Sequence, residues 1–122
     1  MTVDKAKTNV LIVNFSGHNY SDATQYGDLV AITDGFVRPD LPDRALNEVV
    51  KKISKSTAED WILPSGLLML NIFTAIASYH KHGQVKLLLW DRKATPPNSY
   101  REVIVTKEQL ELMFNHFELT ND

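Results

Sequence analysis

The chain has 122 residues, a formal net charge of −2 and a pI near 6.1. That length suits one domain, residues 1–122, and the charge leaves no overall basic field of the kind that tracks DNA or RNA backbone. The absence of cysteine excludes disulfides, thiolate catalysis and thiolate metal sites, and fits a cytoplasmic protein.

The first eight residues are polar and read as a loose leader without a signal peptide. Val10 to Phe15 is β-rich and apolar, which suits a strand covered on both faces. The polar stretch from Ser16 to Gly27 follows, with a short helix expected near Ser21 to Tyr26. Asp28 to Thr33 reads as a second strand, and Gly35 with "RPDLPD" as a loop. Asp43 is the expected N-cap of an amphipathic helix that gathers Leu46, Val49, Val50 and Ile53 on one side.

Trp61 to Leu63 reads as a short strand ending at Pro64. Ser65 then stands where an N-cap belongs, before the apolar run Gly66 to His80. That run is shorter than the roughly 20 residues that span a bilayer and is broken by Asn71, Thr74 and Ser78, so a buried helix ending at Gly83 is expected. Gln84 to Trp90 and Tyr100 to Val105 read as an antiparallel pair joined by "DRKATPPNS". Thr106 and Gln109 have capping-box spacing, and Leu110, Met113, Phe114 and Phe117 would form the inner face of a last helix.

This order predicts an α/β fold: a Rossmann-like, mostly parallel sheet with an antiparallel C-terminal edge and helices on both faces. In open sheets of that kind, ligands bind beyond the carboxyl ends of the strands. Three segments should gather there: "NFSGHN", "LPSG" and "WDRK". Asn14, Ser16, His18 and Asn19 offer hydrogen-bonding groups, and Gly17 permits a sharp turn or a close approach. A loop bonded to itself accounts for the same residues. Ser65 and Gly66 open a helix N-terminus suited to an anion, or simply a cap. Arg92 could meet a phosphate, its alternative being a surface ion pair.

No GxGxxG, Walker loop, HExxH or GxSxG occurs. His80 and His82 lie two apart, share no helix face and are expected to face solvent. No metal site and no cofactor is predicted. Catalysis, if present, would rest on positioning, with Ser16 and His18 as the catalytic candidates.

The strand ending in "NFSGH" and the segment "LPSGLLMLNIFTAIASYHKHGQVKLLLW" resemble the small CRISPR-associated proteins of the Csx-fifteen family. The resemblance implies a Rossmann-like protein of type III CRISPR antiviral signalling whose ligand is a cyclic oligoadenylate, cyclic tetra-adenylate above all. It implies ligand contacts from Asn14, Ser16, Gly17 and His18, and from Ser65 and Gly66 through their N–H groups. A symmetric ring ligand is best met by two copies, so a homodimer or a ligand-bridged oligomer is expected, with no DNA and no membrane. Three readings stay open: a sequestering binder of the ring, a metal-independent ring nuclease, and a protein-interaction domain without catalysis.

Overall fold

The computed structural model describes residues 8–35, 37–38 and 40–120. The expected leader falls outside them except for Thr8, whose carbonyl accepts the Asp28 N–H at 3.1 Å. The elements in chain order are β1 (Asn9–Phe15), a 3-10 helix (Ser21–Tyr26), β2 (Asp28–Asp34), α1 (Pro42–Ser54), β3 (Trp61–Leu63), α2 (Leu68–His82), β4 (Val85–Trp90), β5 (Tyr100–Val105) and α3 (Lys107–Thr120). One five-stranded sheet has the order β2-β1-β3-β4-β5. The first four strands are parallel, and β5 runs antiparallel to β4 with Val85 opposite Val105 and Trp90 opposite Tyr100. This is an α/β fold with the mixed sheet expected from the sequence.

β1 sits at its centre because both of its faces are apolar. Leu11 and Val13 pack with Ala45, Val49 and Ile53 of α1 and with Leu70 of α2. Val10 and Ile12 point the other way, onto Tyr20, Ala23, Trp61 and Leu63. Alternation along a strand thus feeds two cores, one on each side of the sheet. Both faces carry helix, but unequally. α1 and α2 cover one side, and the 3-10 helix, through buried Ala23, covers part of the other.

Two helix starts differ from expectation. α1 begins at Pro42, not after an Asp43 cap, and its N-cap Leu41 makes no side-chain cap bond. Proline at the first helical position has no N–H to satisfy, which allows the earlier start. α2 begins at Leu68 behind an uncapped Leu67, so Ser65 is not its cap. The stops and the last cap hold. Gly83 closes α2 at φ 72° with its N–H on the Tyr79 carbonyl, a conformation that suits glycine. Thr106 and Gln109 exchange side-chain to main-chain bonds at 3.0 and 3.2 Å, the capping box of α3.

The expected inner face of α3 is not buried. Met113, Phe114 and Phe117 are exposed, and no residue of α3 belongs to either core among the described residues. Phe114 meets Tyr79 of α2 edge-on, with ring centroids 6.3 Å apart.

His82 also departs from the solvent-facing expectation. Its Nε2 lies 2.8 Å from Ser56 Oγ. That hydroxyl already donates to the Ile53 carbonyl at 2.6 Å, so the imidazole must be the donor. Beside it, Lys81 Nζ donates to the carbonyls of Ile53, Ser54 and Ser56 at 3.1, 2.6 and 2.8 Å. A cation here satisfies the orphan carbonyls at the end of α1.

Candidate functional site

β2 and β3 flank β1 on opposite sides, so the strand order reverses between β1 and β3. Their carboxyl ends therefore frame the place where open α/β sheets hold ligands. A cleft of about 440 Å³ opens there. His18, Asn19 and Tyr20 from the loop after β1 form one wall, and Leu63, Pro64, Ser65 and Gly66 after β3 form the floor. Trp90 and Tyr100 form the far wall. No charged side chain lines it.

The floor is tied to β1 by a two-way bond. Ser65 Oγ accepts from the Asn14 N–H at 2.9 Å and donates to the Asn14 carbonyl at 3.0 Å. β3 has only three residues, and this hydroxyl extends its pairing with β1 after the strand ends. Asn71 of α2 holds the same turn from the other side, accepting from the Ser65 N–H at 3.0 Å and donating to the Ser65 and Leu67 carbonyls. The polar side chains on α2 thus serve the backbone. Thr74 bonds the Leu70 carbonyl, and Ser78 the Gln84 carbonyl.

Gly66 has φ +71°, and a Cβ there would meet Asn14 Cβ at 2.7 Å. Only glycine lets the floor turn this closely over β1. Asn14 itself is buried beneath it. Its Oδ1 is, among the described residues, the buried side-chain polar atom with no hydrogen-bond partner. An unpaired amide oxygen of this kind costs about 1–3 kcal/mol.

The aromatic wall is a cross-strand pair. Trp90 and Tyr100 are directly opposite in the β4–β5 register, with rings edge-on and centroids 5.5 Å apart. Tyr100 is buried, whereas Trp90 stays 60% exposed. Burial, aided by Tyr20 and Asp22, pushes the Tyr100 phenol above its usual range, so it keeps its proton at neutral pH. On the opposite wall His18 lies edge-on to Tyr20, centroids 6.2 Å apart.

Of the residues singled out in the sequence, His18, Asn19, Ser65 and Gly66 line the cleft, and Asn14 supports it from below. Ser16, Gly17 and Arg92 do not line it. The Ser16 carbonyl accepts the His18 N–H, and no hydrogen bond joins Ser16 Oγ to the His18 ring. Gly17 is exposed, with nothing near the place a Cβ would occupy. Arg92 is exposed in the β4–β5 loop, where Asp91 pairs with Arg101 at 2.8 Å instead. That guanidinium holds the Asp91 carboxyl below the usual carboxylate range. Sequence reading missed Tyr20, Trp90 and Tyr100. The available signal was an aromatic residue at each end of the β4–β5 turn.

A family model matches residues 4–107 and is described as phage Pam3 gp32-like protein. The chain belongs to this family. Membership overturns the CRISPR-associated assignment, and with it the cyclic oligoadenylate ligand and the choice between sequestering and cleaving it. The misleading segments, "NFSGH" and "LPSG", are strand-end turns placed by the fold at the β1–β3 reversal. Unrelated doubly wound proteins need such turns at the same point, so they report architecture rather than ancestry. No curated protein and no solved structure matches the chain. The family match stops where α3 begins. Among the described residues no helix is long and apolar enough to cross a membrane, and no group of three metal-ligating side chains forms.

Proposed function

We propose that the protein binds a small, uncharged, planar ring compound in the cleft at the β1–β3 reversal. The observation that carries this reading is the aromatic wall of Trp90 and Tyr100 facing a floor without charged side chains. A flat ring laid on Trp90 gains stacking and apolar burial. Asn19 and His18 supply a few polar groups to orient it, the usual division of labour in small-molecule sites. An ionic ligand would leave its charge unpaired here, which is costly in a partly desolvated cleft.

The test is NMR titration of the labelled protein with adenine, with cyclohexanol as the non-planar control. Saturable shifts confined to Trp90, Tyr100 and His18, given by adenine alone, are expected. Trp90→Ala should weaken them by roughly tenfold, since stacking on one ring contributes about 1–3 kcal/mol. Trp90 is exposed enough for that variant to keep the fold. Shifts that never saturate, or that survive Trp90→Ala unchanged, would refute the reading.

A further inference from the structure

We infer that the helical side of the molecule is the interface of a two-fold homodimer in which α1 of each copy lies against α3 of the other. This surface is separate from the cleft. Its centre is the outer ridge of α2, where Leu68, Ile72 and Ile76 recur every four residues; Leu68 is 74% exposed and Ile76 62%. A groove of about 690 Å³ separates that ridge from α1 and is lined by Leu46, Val50, Phe73 and Ala77. On the other side of α2 stands α3, reached through Tyr79 and Phe114.

The area is what a stable pair requires. At about 200 Å² for a fully exposed large side chain, Val50, Leu68, Ile72, Ile76, Phe114 and Phe117 present on the order of 700 Å² together. One partner in a complex of standard size gives up about 800 Å², including backbone and polar rim. Patches of this extent on a lone protein mark interaction sites.

Charge selects a second copy and its orientation. Lys51 of α1 and Lys55 at its C-cap are exposed beside the groove, with Asp43 the acidic residue of the first turn, while Arg44, Glu48 and Lys52 line the separate cleft toward β2. α3 carries Glu108, Glu111 and Glu118 against Lys107, which pairs loosely with Glu111 at 3.8 Å. The two flanks of one face are therefore of opposite sign, with the apolar ridge between them. A two-fold axis lying along α2 sets each basic flank over the partner's acidic flank. An axis across α2 would instead set lysines over lysines. A self-complementary face of this kind closes as a dimer rather than extending into a fibre.

Sedimentation equilibrium of the full chain tests this. A dimer is expected at micromolar concentration, weakening as salt rises because the flanking pairs are exposed. Ile76→Glu should give a monomer with unchanged circular dichroism and a cooperative thermal transition that no longer depends on protein concentration. Lys51→Glu with Lys55→Glu should weaken the dimer roughly tenfold at low salt, and adding Glu111→Lys with Glu118→Lys in the same chain should restore it. A wild-type monomer at every concentration would overturn the inference and leave the face to a different protein. A dimer indifferent to Ile76→Glu would place the interface elsewhere, and a dimer indifferent to the first charge reversal would refute the α1–α3 pairing.

Discussion

β1 and α3 are both rich in apolar residues, and they end in opposite situations. From Val10 to Asn14 every residue of β1 is buried, held between two parallel strands and two cores. α3 has a complete capping box and an apolar stripe, yet no residue described in it is buried. Sheet pairing and alternation give a central strand its partners within the chain. Helix amphipathicity states only that one side seeks cover, not which molecule supplies it.

The largest effect is expected from damage on the β1 side. Gly66→Ala puts a methyl group on a left-handed residue and against Asn14 Cβ. Loss of about 2–4 kcal/mol is expected, from backbone strain and overpacking together. Urea denaturation should show the midpoint fall sharply with little change in slope. An unshifted midpoint would mean that the turn over β1 carries no such constraint.

A milder effect is expected at the start of α3. Thr106→Ala removes half of the capping box, which costs a helix about 0.5–2 kcal/mol. Because α3 adds nothing to either core, amide exchange should quicken within α3 while β1 and β3 keep their protection. Equal loss of protection in both places would show that α3 is integral to the folded monomer.

The smallest effect concerns the end of α2. Burial, then the nearby Lys81 charge, lowers the His82 pKa below its ordinary value, opposed by Asp60. The unfolded chain therefore binds a proton more readily than the folded one. Stability should be complete above about pH 6.5 and decline as pH falls through that value toward the folded pKa. In His82→Gln this part of the slope should vanish. A slope unchanged in the variant would assign it to other groups.

Much of the fold was legible in the sequence. The five strands and three helices stand within a few residues of expectation, because alternation, helical spacing, the Gly83 stop and the Thr106 cap are local signals. The position of the cleft was legible too, since strand order places it. Its chemistry was not. Ser65 looked like a cap from its neighbours alone, whereas its hydroxyl is spent on Asn14 across the sheet. Tyr20 meets Trp90 and Tyr100 only after the sheet is assembled, and no spacing rule links it to that cross-strand pair. The family resemblance failed for the related reason that short turns at a strand reversal are shared by unrelated chains.

The bond between Ser65 and Asn14 joins residues 51 apart in sequence. Closing a loop of that length costs chain entropy before any contact returns it. The 3-10 helix, the β4–β5 hairpin and the individual α-helices need only nearby partners and can form early. The cleft floor must wait for β3 to arrive beside β1. Its geometry thus depends on long-range closure, and a chain whose β3 has not reached β1 has no cleft floor.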